Sequence, residues 1–114
     1  MNGTGQAAEK LAAIWLQQQG LKLLASNYRS RYGEIDLIML DGKEIVFVEV
    51  RLRSNLAFGG AGASITPAKQ QKLIRTAEDY LMRHGSSACR FDAVLMESPD
   101  GRQLQWIRNA FETA

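Results

Sequence analysis

Acidic and basic side chains stand inside two neighbouring, mainly apolar stretches of this sequence. Glu34 and Asp36 lie in the first stretch, and Glu49 and Arg51 lie in the second. Carboxylates that share a half-buried surface repel each other and lose solvation, so a positive group must lie nearby. Arg51, another basic side chain or a divalent cation with oxygen ligands would meet that need. The pattern therefore indicates either a charge network or a metal site.

The two stretches read as the strands of a β-hairpin. They cover residues 33–40 and 45–53, and Asp41-Gly42 lies in the tight turn between them. Asp-Gly between two apolar runs is among the strongest short-range hairpin signals. In the second strand, alternate residues from Val46 to Leu52 are apolar, whereas the other face ends in charged residues. This strand is therefore expected to run from a core into a polar site.

The length of the turn decides whether the charged side chains meet. A turn with an even number of residues puts all four on one face, where directly opposed side chains are about 5 Å apart. Two loop residues set Glu34 opposite Glu49, and four set Asp36 opposite Glu49. Three would separate the carboxylates. We expect an even number, and with it one shared polar face.

A helix over residues 6–19 precedes the hairpin, with a short strand at 21–25 between them. The helix has apolar residues at the i, i+3, i+4 and i+7 spacing of a stripe that faces a core. Glu9 stands at the edge of this stripe. Either it is a first-turn glutamate favoured by the helix dipole, or it is a carboxylate that points toward the site. Spacing alone favours the first interpretation.

Basic residues cluster around the acidic stretch, although the net charge of the chain is only +2. They are Arg29, Arg31, Arg51 and Arg53 beside the hairpin, and Lys69, Lys72 and Arg75 or Thr76 along a later helix. Tyr28 and Tyr32 stand among the first of these arginines. Such a set can hold phosphates or stack on bases. The alternative is a solvated surface, which is the usual role of a charged helical line.

A second helix and two strands complete the chain. The helix is capped by Thr66, begins at Pro67 and continues to about Arg83. The strands cover residues 90–96 and 104–107. The element order αβββαββ predicts an α/β fold with a mixed central sheet flanked by helices, because a strand–helix–strand unit suits a crossover connection.

Length and composition limit the class of protein. The 114 residues suffice for one core, so we expect a single domain over residues 1–114. Cys89 is the only cysteine and His84 the only histidine, which excludes an internal disulfide and a Cys/His zinc site. The glycine-rich segment 54–64 lacks the Gly-Lys-Ser/Thr of a P-loop and is either a ligand-contacting loop or a linker. Without a membrane span or signal pattern, we expect a cytoplasmic protein with no membrane partner.

The order of elements and several short motifs resemble the PD-(D/E)xK nuclease superfamily. Over nearly its whole length the chain looks like the YraN family of small bacterial predicted endonucleases, which are similar to archaeal Holliday-junction resolvases. The residues that carry this match are Gly5 and Glu9, Asn27-Tyr28-Arg29, Gly33-Glu34-Ile35-Asp36-Leu37-Ile38, Phe47-Val48-Glu49-Val50-Arg51-Leu52-Arg53, Phe58-Gly59, Lys69 and Arg90-Phe91-Asp92.

The resemblance implies a restriction-endonuclease-like fold and assigns roles to individual residues. Asp36 takes the place of the first acid of the motif, and Glu49 takes the place of the second. Glu9 matches the helix glutamate of the resolvase-like branch, which reverses the interpretation from spacing. Arg51 holds the position of the motif lysine. Arginine is always charged and cannot act as a base, but it can stabilise charge on a transferring phosphate.

The implied activity is metal-dependent hydrolysis of phosphodiester bonds in DNA, on branched or single-stranded substrates. Mg²⁺ or Mn²⁺ is expected on Asp36, Glu49 and the carbonyl of Val50, with Glu9 or Glu34 assisting. Arg51 is expected on the scissile phosphate. The residues expected to bind nucleic acid are Arg29, Arg31, Arg53, Lys69 and Lys72.

Two other hypotheses stay open at this point. Because Arg51 replaces the lysine, the chain could be a catalytically inactive nucleic-acid-binding module of the same fold. Alternatively, the carboxylates form only a salt-bridge network with Arg31, Arg51 and Arg53 in an interaction protein. If the protein is a nuclease or an inactive binding module, the expected partner is nucleic acid, and DNA is favoured over RNA. A homodimer is left open as an assembly.

Overall fold

The computed structural model describes residues 3–52 and 65–111, and of residues 3 and 4 the backbone alone. The elements are α1 Gly3–Gln18, β1 Lys22–Ser30, β2 Gly33–Asp41, β3 Glu44–Leu52, α2 Pro67–His84, β4 Cys89–Met96 and β5 Gln105–Phe111. In this part of the chain the strands form one sheet in the order β1-β2-β3-β4-β5. Neighbours are antiparallel except β3 and β4, which are parallel. The predicted α/β order and mixed sheet are confirmed.

Each helix covers one face of this sheet. The apolar stripe of α1 forms a buried cluster with residues of β2 and β3, namely Leu37, Met39, Val46 and Val48. The stripe of α2 forms a second cluster on the opposite face with Ile38, Ile45 and Phe47. The alternation follows from the two-residue period of a strand, and each fully buried side chain contributes about 1.5–3 kcal/mol. The two clusters hold the helix starts against the sheet.

The predicted limits of α2 are confirmed by its capping contacts. The Thr66 hydroxyl accepts a hydrogen bond from the Lys69 N–H at 3.2 Å, and Pro67 follows as the first helical residue. At the other end Gly85, with a φ of 101°, donates its N–H to the carbonyl of Leu81 at 2.8 Å. Since α2 connects the parallel strands β3 and β4, its first turn lies near the end of β3.

The turn of the β2–β3 hairpin lies one residue later than predicted. Asp41 pairs with Glu44, so the turn residues are Gly42 and Lys43 and not Asp41-Gly42. Gly42 has a φ of 64°, which suits glycine in a tight hairpin turn. The number of turn residues is even, as expected. The register puts Leu37 opposite Val48, so Asp36 and Glu49 come next along the two strands.

Asn27 interrupts the regular alternation of the first hairpin. Its φ is 53°, which is uncommon for a residue other than glycine inside a strand. Tyr28 pairs with Ile35, and both side chains belong to the cluster under α2. Leu37, only two residues after Ile35, belongs instead to the cluster under α1. The side chains of β2 therefore stop alternating regularly between the two faces of the sheet at Asp36. The sequence pattern did not predict this irregularity.

Some further expectations need correction. β1 and β5 are longer than predicted, extending to Ser30 and Phe111 respectively. Thr76 is fully buried and donates its hydroxyl to the Lys72 carbonyl, so it is not part of an exposed charged line. The glycine-rich segment 54–64, with its Phe58-Gly59 motif, lies outside the described residues. No described helix has the length and apolar character needed to span a bilayer.

Candidate active site

Strands β2 and β3 stop pairing with each other at the point where the acidic residues begin. Within the described residues their register pairs end at Leu37 and Val48. Beyond that point β2 continues beside β1, and β3 continues beside β4. The Val50 N–H donates to Asp36 Oδ2 at 2.8 Å, so a carboxylate takes the place of a backbone carbonyl. The sheet therefore divides around Asp36.

Three carboxylates from three elements meet at this division. Glu9 from α1 is 7% exposed, Asp36 from β2 is 9% exposed, and Glu49 from β3 is 5% exposed. Glu34 lies at the rim and forms an ion pair with Arg29, whose Nε is 2.8 Å from its Oε2. The side chains predicted to share one face do line one open cavity of about 440 Å³. Glu9 points into it, as the second interpretation of this residue expected.

The three buried carboxylates are not fully compensated. Burial, followed by the charge of Asp36, raises the pKa of Glu49 from 4.5 to about 7. The same two causes raise the pKa of Glu9 from 4.5 to about 7. Glu9 Oε1 is also buried without a hydrogen-bond partner. A buried acceptor in this state costs about 1–3 kcal/mol, which marks the position where a positive group or a proton is needed.

Two basic side chains reach the cluster, and both point at Glu49. Lys69 Nζ is 3.4 Å from Glu49 Oε2, and Arg51 Nε is 3.8 Å from the same oxygen. Sequence reasoning placed Lys69 among contacts to a nucleic-acid backbone and missed its approach to the carboxylates. A signal was available, because a helix that joins two parallel strands starts at the end of the first one. The first turn of α2 had to lie beside the last residues of β3.

The other predicted basic residues that the structure describes do not line this cavity. Arg29 is exposed and engaged by Glu34, and Arg31 Nη2 donates to the hydroxyl of Tyr32 at 3.0 Å. Lys72 is exposed on α2, one turn beyond Lys69. Arg53 lies outside the described residues. Of the predicted nucleic-acid contacts, the structure thus brings Lys69 to the carboxylates and places Arg29 at the rim, beside Glu34.

A divalent cation fits the chemistry of the central residues. Among the residues described, no three acidic, histidine or cysteine side chains form a ready-made ligand set. The fit rests instead on Asp36 and Glu49, with the Val50 carbonyl on the same strand and the orphaned Glu9 oxygen beside Asp36. These are hard oxygen donors, as Mg²⁺ and Mn²⁺ prefer. Partial exposure of Lys69 and Arg51 keeps the cavity accessible.

Comparison with known proteins identifies close relatives over nearly the full length. The model of uncharacterised protein family UPF0102 matches residues 8–96, a range that includes Glu9 and Lys69. A UPF0102 protein of Methylobacillus flagellatus is 57% identical over 111 residues, covering 97% of this chain and 98% of the relative. One of Nitrosomonas europaea is 59% identical over 109 residues, covering 95% and 92%. One of Stutzerimonas stutzeri is 50% identical over 114 residues, covering 96% and 95%.

Proposed function

The chain belongs to uncharacterised protein family UPF0102, the YraN family, and from this premise we propose that it is a cation-dependent nuclease that hydrolyses phosphodiester bonds in DNA. The proposal includes a restriction-endonuclease-like arrangement of the sheet. One observation carries it, namely the convergence of Glu9, Asp36 and Glu49 beside Lys69 where β2 and β3 separate. A structural role alone does not account for three buried carboxylates with an orphaned oxygen, because that arrangement costs stability.

The central residues divide the work of holding a cation. Asp36, Glu49 and the Val50 carbonyl would bind Mg²⁺ or Mn²⁺, with Glu9 or Glu34 assisting. When bound, the cation would lower the pKa of a coordinated water and offset charge on the phosphate. Asp36 is already oriented by the Val50 N–H, so its carboxylate has a fixed direction before any ligand arrives.

Lys69 and Arg51 take different parts in this proposal. Lysine can change its protonation state, whereas arginine stays charged. The Lys69 ammonium, 3.4 Å from Glu49, would therefore hold the attacking water by a hydrogen bond and give a proton to the leaving oxygen of the phosphodiester. Arg51 would stabilise negative charge on the scissile phosphate. The replacement of lysine at position 51 is thus met by a lysine that comes from α2.

The test is a cleavage assay on labelled single-stranded, duplex and branched DNA with Mg²⁺, Mn²⁺ or a chelator. The wild type should cleave only with a cation, and Asp36→Asn and Glu49→Gln should abolish cleavage. Glu44→Gln is the matched control, because Glu44 lies at the opposite end of the same hairpin. Cleavage that survives in Asp36→Asn, or that needs no cation, contradicts the proposal.

The competing candidate is an inactive nucleic-acid-binding module, and the arginine at position 51 favours it. Under that candidate, the wild type binds DNA with a strong salt dependence but shows no cation-dependent cleavage. Asp36→Asn would then leave DNA affinity unchanged or increase it, because one negative charge is removed. The same protein preparations separate the two candidates.

A further inference from the structure

A second concave surface lies between the β1–β2 hairpin and the outer side of α2. It is an open groove of about 1100 Å³, and its lining includes four arginines, which we call the arginine groove: Arg29, Arg31, Arg75 and Arg83. Tyr32, in the turn between β1 and β2, stands among them. Two acidic side chains, Glu78 and Asp79, also line it. The lining therefore carries more positive than negative charge.

The tyrosine and two of the arginines form the centre of this groove. The guanidinium carbon of Arg31 is 5.1 Å from the centroid of the Tyr32 ring, and that of Arg75 is 5.5 Å from it. Arg31 also donates to the Tyr32 hydroxyl at 3.0 Å. A cation within about 6 Å of an aromatic ring is attracted to the negative face of the ring, so the Tyr32 ring holds both guanidiniums at this position. They present charge and a ring surface at the same place.

The acidic residues do not neutralise this centre. Asp79 accepts hydrogen bonds from the Tyr28 hydroxyl at 2.6 Å and from Arg83 at 3.2 Å, so its charge is already engaged. Within residues 3–52 and 65–111, neither Arg31 nor Arg75 forms an ion pair with a carboxylate. Two exposed guanidiniums that form no ion pair in the described residues can bind an anionic ligand, although Asp79 lies near enough to act on the charge of Arg31.

We propose that the arginine groove binds an unpaired nucleic-acid strand, with Arg31 and Arg75 on phosphates and the Tyr32 ring against a base. Guanidiniums match phosphate oxygens, and a tyrosine can stack only on a base whose face is free. A duplex hides its base faces and offers this ring no partner. The groove therefore selects a strand that is single at this position.

This inference rests on the proposed function, because it names the form of nucleic acid that the same protein acts on. The groove and the carboxylate cavity meet at one contact. Arg29 lines the groove, its partner Glu34 lines the cavity, and their side chains are 2.8 Å apart. A strand held in the groove can therefore extend to the carboxylates without leaving the surface.

The experiment measures binding without cleavage, by fluorescence anisotropy in a chelator. Three labelled probes are compared: an oligothymidine of 20 nucleotides, a DNA duplex of the same length, and a polyglutamate peptide. The variants are Arg75→Ala, Tyr32→Phe, Tyr32→Ala and Glu78→Gln, each checked for its melting temperature. Arg102→Ala is the matched control, because it removes the same charge in the β4–β5 turn, across the sheet from β1.

We expect the single strand to bind more tightly than the duplex and the peptide. Tyr32→Ala should weaken single-strand binding by about tenfold, whereas Tyr32→Phe should keep it, since stacking needs the ring alone. Arg75→Ala should lower the slope of log affinity against log salt by about 0.7, the value for one phosphate contact on a single strand. Glu78→Gln should strengthen binding, and Arg102→Ala should change nothing.

Three results overturn the inference. They are equal binding of duplex and single strand, an unchanged affinity in Tyr32→Ala, and tighter binding of the peptide, which would make the groove a protein-docking surface. Failure of the proposed function is seen separately, in the cleavage assay. Asp36→Asn should lose cleavage and keep groove binding, so a protein that binds single strands but never cleaves refutes only the nuclease.

Discussion

Lys69 and Arg51 approach the same oxygen of Glu49, yet they differ in what they can do with a proton. Their separations from that oxygen, 3.4 Å and 3.8 Å, give both a place in the cavity. Of the two, only the lysine side chain can give up a proton during the reaction, because guanidinium keeps its charge. Variants of these two residues therefore test the proposed mechanism most directly at the scale of single side chains.

Replacement of Lys69 should cost more than replacement of Arg51 by lysine. Lys69→Ala should lower the single-turnover cleavage rate by about a hundredfold or more, as for other lost proton-transfer groups. The cleavage rate of Lys69→Arg should be as low as that of Lys69→Ala, because arginine keeps the charge but cannot give up a proton. Arg51→Lys should retain the rate, and Arg51→Ala should lower it by about a hundredfold.

The control for this series is the rate measured from pH 6 to 9 together with the melting temperature. If Lys69 moves a proton, its loss changes the shape of the pH profile as well as the rate. A Lys69→Arg variant with the rate and the pH profile of the wild type would show that the residue acts by charge alone.

The buried carboxylates should make the cation-free protein less stable as the pH rises. The pKa of Glu49 is about 7 in the folded protein and near 4.5 otherwise, so the folded state binds the proton more tightly. That contribution is fully present below pH 4.5 and is lost as the pH passes through 7. For one such group the loss in unfolding free energy is up to about 3 kcal/mol.

Urea denaturation in a chelator at pH 5 and pH 8 measures this loss. Glu49→Gln should be nearly as stable at pH 8 as at pH 5, apart from the share due to Glu9. Added Mg²⁺ should stabilise the wild type more at pH 8 than at pH 5, and it should not stabilise Glu49→Gln. Equal stabilisation of both proteins would place the cation elsewhere.

At the scale of single residues, types and spacing predicted most of the site. Asp36 and Glu49 were placed by strand parity, because the turn has an even number of residues. Glu9 was not, because the predicted helix start at residue 6 put it in the first turn, where a glutamate has an ordinary explanation. In the structure α1 begins at Gly3 and its first turn holds no acidic residue, so that interpretation was wrong. The role of Glu9 depends on where α1 lies against the sheet, and only the packing of two elements decides that.

At the scale of elements, Arg90 on β4 joins the hairpin end to the last strand. Its guanidinium contacts Asp41 at 2.9 Å, Glu44 at 2.8 Å and Asp92 at 3.0 Å. Asp92, which is fully buried, also accepts from the Trp106 indole at 2.9 Å and from the Asn109 N–H at 3.0 Å. These contacts give Asp92 a structural role, with Arg90 as its counter-charge. This network lies at the opposite end of the hairpin from the carboxylate cavity.

Removal of Arg90 should therefore destabilise the fold without touching the chemistry. Arg90→Met leaves Asp92 buried without its cation, which costs about 3–5 kcal/mol. The double variant Arg90→Met/Asp92→Asn should recover part of that loss, because no buried charge remains. Urea denaturation of the single and double variants measures it, and an Arg90→Met protein as stable as the wild type would contradict it.

Element limits were predicted less well than element types. The hairpin turn shifted by one residue because Asp41 pairs with Glu44 and its carboxylate is held by Arg90. The change of faces around Asn27 was missed, since nothing in the local sequence distinguishes an asparagine with positive φ from one in a loop. Long-range contacts decide both features, and a local pattern does not contain them.

At the scale of the whole molecule, element order predicted the mixed sheet and a crossover connection, but it did not predict the order of the strands in the sheet. One crossover helix between β3 and β4 makes that pair parallel, and short connections make the other pairs antiparallel. The order of elements does not determine how closely two elements pack against each other. The arginine groove forms only because the β1–β2 turn packs over α2, where the Ser30 and Thr76 hydroxyls are 3.0 Å apart.

The division of the sheet around Asp36 also bears on how the chain assembles. The contacts of β1, β2 and β3 are local in sequence, whereas the β3–β4 pair must wait for closure of a long segment. Local contacts form early because they close short loops. We therefore expect Asp36 and Glu49 to come together before α2 docks and delivers Lys69. In that order of events the carboxylates repel each other before the ammonium of Lys69 arrives to offset their charge. The last folding barrier should then contain an electrostatic part, which ions in solution can lower.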